Sequence, residues 1–238
     1  VQGLRAAMRG VETIYHLAGG EGGGGRANLQ AVDIDGTRLL CAAAADARVE
    51  RLFYLSHLGA DRAAGFPVLK AKGIAEEYVR KSGIPHTILR GSILFGPGDE
   101  FTTGLAMLLT IAPGFLPLPA RGETQLQPLW VEDLVTCLIW ALHNPETIDQ
   151  TYELGGSEYL SQRQLAGTVM EVIGRSRRLV AQRAQHPGVP RPGRRLPAAL
   201  PGRLHRQLHQ PHVVAHGDAA ARLRQSVGRP LPRLLRDQ

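Results

Sequence analysis

The chain has little of several features that mark particular protein classes. It contains only two cysteines, Cys41 and Cys137, which excludes a disulfide-stabilised scaffold. Both lie in apolar or alanine-rich surroundings, which predicts buried thiols in a reducing, cytoplasmic compartment. No apolar run is long enough to span a bilayer, so no transmembrane segment is predicted. What is left is a globular chain whose 238 residues suffice for a substantial core.

Positive charge is confined to one end of the chain. Residues 181–238 contain 11 arginines, no lysine and two aspartates, whereas the whole chain has a net charge of +7. Residues 1–180 are therefore slightly acidic. Basic charge spread over a folded surface would favour nucleic-acid binding, but charge restricted to one segment does not, and nucleic acid is not expected as a partner. The five histidines of this segment follow no metal-ligand spacing, so no metal site is predicted.

The same segment lacks every aromatic residue and contains eight prolines. Hydrophobic periodicity stops after Val180. Two explanations stay open: an out-of-frame reading of GC-rich coding DNA, or a natural disordered basic tail. Either way, residues 181–238 are expected to add no packed structure, because ordering the backbone costs about 1–2 kcal/mol per residue and little apolar surface is available to offset it.

Between residues 11 and 180, buried apolar runs alternate with helical periods, which is typical of an α/β fold with a parallel sheet. Strands are predicted at Thr13–Ala18, Leu52–Ser56, Pro85–Arg90 and Tyr152–Leu154. Helices are predicted at Asn28–Ala47, Phe101–Ala112 and Ser161–Gly174, the last with Ser161 as its N-cap. Residues 113–128 contain four prolines and little periodicity, which predicts an irregular excursion.

The stretch from Arg51 to Gly98 is the most informative about function. An apolar strand ends in Ser56-His57, and the helix that follows carries Lys72. The next strand ends in the sequence T-I-L-R and runs through Gly91-Ser92 into F-G-P-G. Chemistry in α/β folds is placed at such carboxyl ends of strands.

These residues resemble the short-chain dehydrogenase/reductase superfamily. The resemblance is greatest to its atypical branch, which is related to the NmrA-like proteins and the 39 kDa-type subunit of NADH-ubiquinone oxidoreductase. It implies a doubly wound, Rossmann-like parallel sheet with a small substrate-side subdomain, and NADP or NAD as the cofactor. It also implies that the first strands, with the glycine turn that binds the pyrophosphate, are missing before Val1.

The resemblance divides the chain into three parts. Residues 1–155 are expected to form a partial dinucleotide-binding domain in which residues 101–128 pass over the cofactor cleft. Residues 156–180 are expected to belong to the C-terminal subdomain, and residues 181–238 to the arginine- and proline-rich tail. The glycine-dense loop from Gly19 to Gly25 is predicted to be flexible, with phosphate binding as the alternative, since its spacing is not G-x-G-x-x-G.

The candidate site combines strand ends with the lysine helix. Ser56 and Lys72 are the candidate catalytic residues, Ser56 as a group that polarises a substrate oxygen. A strand-capping role for Ser56 and a solvated helix position for Lys72 remain open as alternatives. The predicted cofactor-binding residues are Leu17, Ala18, Gly19, Ser56, Lys72, Arg90, Gly91, Ser92 and Ile93.

The superfamily's catalytic Tyr-x-x-x-Lys pair is incomplete, because Val68 stands four residues before Lys72. Valine has no exchangeable proton, so the acid–base step lacks an evident agent. Tyr78 follows Lys72 by six residues, about 240° round the helix, and does not replace the missing phenol. The chain is therefore predicted to be an NAD(P)-binding regulatory or assembly protein that has a dinucleotide ligand and a protein partner. The alternative is an NAD(P)-dependent oxidoreductase or sugar-nucleotide epimerase of the extended type.

Overall fold

The computed structural model describes residues 2–20 and 28–182. Helices and strands alternate along the described chain, with a π-helix at Gln30–Gly36 and 3₁₀ turns at Pro119–Gly122 and Pro145–Thr147. In chain order the remaining elements are α1 (Gln2–Ala7), β1 (Thr13–His16), α2 (Thr37–Asp46), β2 (Arg51–His57), α3 (Pro67–Lys81), β3 (His86–Gly91), β4 (Leu94–Phe95), α4 (Glu100–Ile111), β5 (Phe115–Leu118), β6 (Gln125–Leu126), β7 (Leu129–Trp130), α5 (Val131–His143), β8 (Gln150–Leu154), β9 (Leu160–Ser161), α6 (Gln162–Val172) and β10 (Arg178–Ala181).

A four-stranded parallel sheet forms the centre, with strand order β1-β2-β3-β8. Leu52 pairs with His86 and Ser56 pairs with Arg90, so the two predicted central strands are parallel neighbours. The predicted α/β class with a Rossmann-like parallel sheet is thereby confirmed. The predicted first strand is two residues too long, because β1 ends at His16 and the next two residues are exposed.

Helices cover both faces of this sheet. On one face, α2 and α3 pack on Leu52, Tyr54 and Ile88. On the other, α5 packs on Phe53 and Leu89. Successive side chains of a strand point to opposite faces, so a strand that is buried on both faces needs a continuous apolar run. This requirement is why β2 was the clearest strand in the sequence.

The predicted helix over residues 28–47 is divided in the structure. Residues 30–36 form a π-helix and residues 37–46 a regular α-helix. The predicted helix is therefore confirmed over residues 30–46, but apolar spacing does not distinguish the two hydrogen-bond patterns. Short π-helical segments occur frequently at functional sites. The buried residue at the centre of this one is Asp33.

The C-terminal part of the described chain builds a second, smaller core. Leu109 of α4, Leu116 of β5 and Val169 of α6 lie in one buried cluster. Strand β5 pairs with β10, and β6 pairs with β9. The expectation of an irregular excursion over residues 113–128 was therefore wrong in part, since strands from distant parts of the chain supply its backbone partners. The predicted N-cap is confirmed: Ser161 forms a capping box with Gln164.

Two predictions fall largely outside the described residues: the glycine-rich loop beyond Gly20 and the tail beyond Gln182. Among the residues that the structure does describe, no helix has both the length and the apolar character needed to cross a membrane. Of the two thiols expected to be buried, Cys41 is buried and Cys137 is only half-buried.

The first prediction concerns Gly73 in α3. A Cβ there would lie 2.4 Å from the carbonyl carbon of Asp61 and 2.5 Å from the nitrogen of Arg62, so backbone would have to move. We expect Gly73→Ala to lower the free energy of unfolding by about 1–3 kcal/mol or more. The matched control is Gly167→Ala in α6, where a Cβ meets no atom within 4 Å. There, alanine should stabilise by about 0.5–1 kcal/mol. Urea titrations of the three proteins measure both effects, and equal changes in the two variants would contradict the packing argument.

Candidate functional site

The carboxyl ends of β1, β2 and β3 bring several predicted site residues together. Ser56 lies opposite Arg90, and His57 lies opposite Gly91. One residue further on, the N–H of Ser92 donates to the carbonyl of Leu154 at 2.9 Å. These positions form one edge of the sheet, the edge at which ligands of open parallel sheets bind.

Lys72 is held in the interior by a carboxylate that the sequence did not single out. Its side chain is almost fully buried, and its Nζ lies 3.1 Å from Oδ1 of Asp33, which is itself buried. The second oxygen of Asp33 accepts a hydrogen bond from the backbone N–H of Gly20 at 2.9 Å. A single carboxylate therefore joins the chain beyond β1, the π-helix and α3. We call Asp33, Lys72 and Gly20 the lysine cluster.

Gly20 is required by the closeness of this arrangement. A Cβ at Gly20 would lie 3.0 Å from Oδ2 of Asp33 and 3.5 Å from the backbone of Asn28. The chain therefore passes Gly20 and returns at Asn28 at nearly the same place.

His16 extends the buried polar region along β1. Its Nε2 lies 2.7 Å from the hydroxyl oxygen of Thr37, and its ring lies 5.2 Å from that of Tyr54, centroid to centroid. Burial, and to a smaller extent the nearby charge of Lys72, lower the pKa of His16 to about 4, against an opposing effect from Asp33. His16 is therefore a neutral imidazole at pH 7.

A second cluster surrounds Glu76, which follows Lys72 by one helical turn and is completely buried. Arg90 donates to both oxygens of Glu76, at 2.9 and 2.8 Å, and Arg80 donates to Oε2 at 2.7 Å. Burial alone would raise the pKa of Glu76, but the hydrogen bonds from Arg90, Ser56 and Arg80 outweigh it and hold that pKa below its usual value. Arg90 also reaches Glu153 of β8 at 3.5 Å. We call these residues the glutamate cluster.

The glutamate cluster determines what Ser56 can do. The hydroxyl of Ser56 donates its proton to Oε1 of Glu76 at 2.6 Å. Because this proton is committed, Ser56 is left with lone pairs to offer a ligand. Two arginines neutralise Glu76, so it is a poor base toward Ser56. The hydroxyl of Ser56 is thus held by a side chain of α3, while its predicted role toward a substrate stays a prediction.

The remaining predicted residues lie at or near the same edge. Leu17, Ala18 and Gly19 are exposed beyond β1, and Ser92 and Ile93 are half-buried beyond β3. Asp33 and Glu76 were missed. A signal was available for both, because each is a carboxylate on the apolar face of a predicted helix, where an unpaired charge would be costly. Glu76 also follows Lys72 by four residues, the spacing of neighbours on one helix face.

The sequence has relatives among known proteins. Residues 1–107 match the NAD(P)H-binding family NAD_binding_10. Subunit 9 of the mitochondrial NADH dehydrogenase [ubiquinone] 1 alpha subcomplex from Arabidopsis thaliana is 32% identical over 126 residues, which cover 52% of this chain and 31% of that protein. The mitochondrial 40 kDa subunit of NADH-ubiquinone oxidoreductase from Neurospora crassa is 25% identical over 180 residues, 75% of this chain and 46% of that subunit. The chain thus spans less than half the length of either relative.

Solved structures share the fold at lower identity. A dTDP-glucose 4,6-dehydratase from Streptomyces venezuelae, solved with NAD, superposes with a TM-score of 0.70 at 21% identity, covering 95% of this chain and 75% of the dehydratase. A UDP-glucose 4-epimerase from Thermus thermophilus, also solved with NAD, gives 0.66 at 21% identity, covering 95% of this chain and 80% of the epimerase.

The parallel sheet and the matched region together define the class: residues 1–107 match an NAD(P)H-binding family, and the described chain has the Rossmann-like fold of such domains. Within that class it is related to subunit 9 of the NADH dehydrogenase alpha subcomplex. The resemblance inferred from Ser56, Lys72 and the F-G-P-G segment is thereby confirmed.

The second prediction tests the buried ion pair of the lysine cluster. Lys72→Met leaves the Asp33 carboxylate buried without its counter-charge and should lower the free energy of unfolding by about 3–5 kcal/mol. Asp33→Asn combined with Lys72→Met removes both charges and keeps an acceptor for Gly20, so the double variant should be more stable than Lys72→Met alone. Arg5→Met, which breaks an exposed pair with Asp46, is the control and should cost less than about 1 kcal/mol. Denaturant titration provides all four values, and a double variant less stable than Lys72→Met would contradict the pairing argument.

The third prediction concerns acid stability. The pKa of His16 is about 4 in the folded protein against an ordinary value of 6.5, so the unfolded chain binds more protons between these pH values. The contribution of neutral His16 to the free energy of unfolding is thus fully present above pH 6.5. It is lost as the pH falls towards 4, by no more than about 1.4 kcal/mol per pH unit. His16→Gln, which keeps a group able to bond Thr37, should lose stability less steeply in this window. If the free energy of unfolding changed equally with pH in the two proteins, His16 would not titrate as expected.

Proposed function

We propose that this protein binds NAD(P)(H) at the carboxyl ends of β1, β2 and β3 and acts as a cofactor-binding regulatory or assembly protein. The observation that carries the proposal is the protonation chemistry of α3 and its neighbours. Val68 occupies the position one turn before Lys72, and the hydroxyl of Ser56 donates its hydrogen bond to Glu76. In the described part of this edge, neither position that the superfamily uses for proton transfer has a free proton to move.

The residues present fit one side of a dinucleotide. Leu17, Ala18 and Gly19 offer an exposed, small-residue and apolar border, and Arg90 to Ile93 form the opposite border. We propose that the first segment lies beside the adenosine half of the cofactor and that the second borders its nicotinamide half. Lys72 remains our proposed ribose ligand, and its position is fixed by the ion pair with Asp33. The bound cofactor would supply hydride chemistry, whereas the residues described here only bind and orient it.

The likeness to complex I subunits supports a protein partner for this chain. The relatives from Arabidopsis and Neurospora are named as subunits of NADH dehydrogenase, and this chain covers a minority of each. We propose that it too works within a protein assembly. We further propose that residues 101–128 border the cofactor cleft and that residues 156–180 belong to the C-terminal subdomain. A cytoplasmic location also stays a prediction.

An oxidoreductase or epimerase is the alternative function. It is favoured by the fold shared with sugar-nucleotide epimerases and dehydratases. It requires a proton-transferring group near the nicotinamide that the described residues do not offer at the expected place. Turnover therefore separates the two functions, whereas cofactor binding is common to both.

The fourth prediction tests this separation with the protein expressed from its own gene, including any coding sequence upstream of Val1. NADH or NADPH should bind, as measured by calorimetry, without oxidation of the cofactor in the presence of carbonyl substrates. Lys72→Ala should weaken binding by about tenfold, and Lys81→Ala, at an exposed position of the same helix, should not.

Val68→Tyr should produce no turnover, because a phenol helps only when its pKa, the substrate pose and the nicotinamide are aligned together. Substantial carbonyl reduction by Val68→Tyr would show that the pocket is otherwise complete and would favour the enzyme. Turnover by the unmodified protein would refute the proposed function directly.

A further inference from the structure

An exposed apolar ridge runs along α4 and into β5. Met107, Leu108, Ile111 and Phe115 are between 44% and 66% exposed. Their spacing places the three helical residues on one side of α4, and Phe115 follows Ile111 across a three-residue turn. We call these four residues the apolar ridge. It falls within residues 101–128, which we propose border the cofactor cleft, but it includes none of the residues that we propose contact the dinucleotide.

The fold does not need the ridge for its own core. The opposite side of α4 supplies Ala106 and Leu109 to the buried cluster with Leu116 and Val169. Since that core is already built from the inward faces of α4, β5 and α6, the ridge residues are the outward faces of the same elements. Exposing several large aliphatic side chains together is unusual for a soluble surface and marks an interaction site.

The surroundings of the ridge have an uneven charge. The twenty residues from Phe101 to Ala120 include no charged residue and no histidine. In contrast, the segment from Gln162 to Gln182, which contains the strand beside the ridge, has four arginines and one glutamate. Arg178 is the register partner of Phe115, and the guanidinium of Arg177 donates to the carbonyl of Thr110 at 3.0 Å. An uncharged apolar ridge therefore has an arginine border.

The sequence after Gln182 carries more positive charge. The described chain ends at Gln182, whose N–H donates to the carbonyl of Leu118 at the end of β5. The 56 residues that follow contain 11 arginines and two aspartates. A surface that complements this region must accept aliphatic side chains and supply negative charge around them.

An anionic bilayer surface meets both conditions better than a protein does. Protein interfaces form about one hydrogen bond per 100–200 Å², and their centres are enriched in aromatic residues, methionine and arginine. The ridge shares methionine and phenylalanine with such interfaces but lacks hydrogen-bonding side chains. The side chains of the ridge are Met, Leu, Ile and Phe, none of which donates a strong hydrogen bond. Hydrocarbon forms no hydrogen bonds, so the missing donors cost nothing in contact with it. Lipid phosphates attract the arginines over a range of about a Debye length.

We propose that the apolar ridge is a membrane-surface contact, in which Leu108, Ile111 and Phe115 enter the interface of an anionic bilayer and the arginines beside β5 face its headgroups. The contact is peripheral, and it does not depend on dinucleotide binding. It would keep the proposed cofactor-binding protein at a lipid surface.

The test uses the whole chain and vesicles of phosphatidylcholine alone or mixed with phosphatidylglycerol. We expect co-sedimentation with the anionic vesicles, weakened by added salt. Ile111→Asp should reduce the partition coefficient by about tenfold or more, the change expected for losing one buried aliphatic side chain. Arg178→Glu should reduce it by about fivefold or more, and only for anionic vesicles.

Two variants serve as matched controls. Ile139→Asp alters an equally exposed isoleucine on α5, a helix that has no arginine or lysine. Arg9→Glu reverses an exposed arginine remote in sequence from the ridge. Both should bind vesicles as the parent does, and thermal unfolding should show that all variants fold.

Three outcomes would overturn the proposal. In the first, the parent protein does not bind anionic vesicles. In the second, Ile111→Asp binds as well as the parent, which would assign binding to the arginines of residues 183–238 alone. In the third, Ile111→Asp and Ile139→Asp lose binding equally. A parent that self-associates in sedimentation velocity, is dispersed by Ile111→Asp and ignores vesicles would assign the ridge to a contact between protein copies instead.

Discussion

The structure depends on the neutralisation of two opposite charges that α3 carries into the interior. Lys72 and Glu76 lie one turn apart on the face of α3 that packs on the sheet, and both are buried. An isolated charge in such a place is very unfavourable, so each must be met by partners of opposite sign. Asp33 forms an ion pair with Lys72, and Arg90 and Arg80 form ion pairs with Glu76. The partners come from the π-helix, from β3 and from α3 itself, so the condition connects elements far apart in the chain.

This condition also shapes what the sheet edge can do. A side chain whose charge or proton is already satisfied by the protein is held in place, but it has less to offer a reacting substrate. Ser56 illustrates the point, since its hydroxyl is fixed by Glu76 rather than directed at a ligand. Catalytic groups are usually found with pKa values adjusted towards their task in an accessible cleft. Here, the strongly perturbed histidine, His16, is buried against Thr37 and Tyr54. The arrangement agrees with a class whose relatives include accessory-type subunits as well as enzymes.

The sequence predicted the parts of the fold that depend on local pattern. The apolar runs of β2 and β3 must be buried on both faces, and their pairing follows from the helix between them. Ser161 was recognisable as an N-cap because the signal is confined to four residues. Strand β5 was not predicted, because its partner β10 lies more than sixty residues away and both strands are only four residues long.

The sequence predicted where the candidate site lies but not the ion pairs and hydrogen bonds that hold its residues. Ser56, Lys72 and Arg90 were identified from motif and strand ends. The carboxylates that hold them were not, because hydrophobic periodicity treats a buried Asp or Glu as an interruption rather than as a partner. The π-helix that places Asp33 inward was equally hidden, since its residues have the composition of an ordinary amphipathic helix.

The closeness of Gly20 and Asn28 affects how much the length of the chain between them can vary. Gly20 and Asn28 lie close together, and Asp33 secures Gly20 by accepting a hydrogen bond from its N–H. Doubling the length of a connection whose ends are already joined costs only about 0.6 kcal/mol in closure entropy. The connection between Gly20 and Asn28 can therefore be lengthened or shortened without disturbing the sheet. The same connection is a suitable place for inserting a reporter peptide, because both of its ends are held in fixed positions.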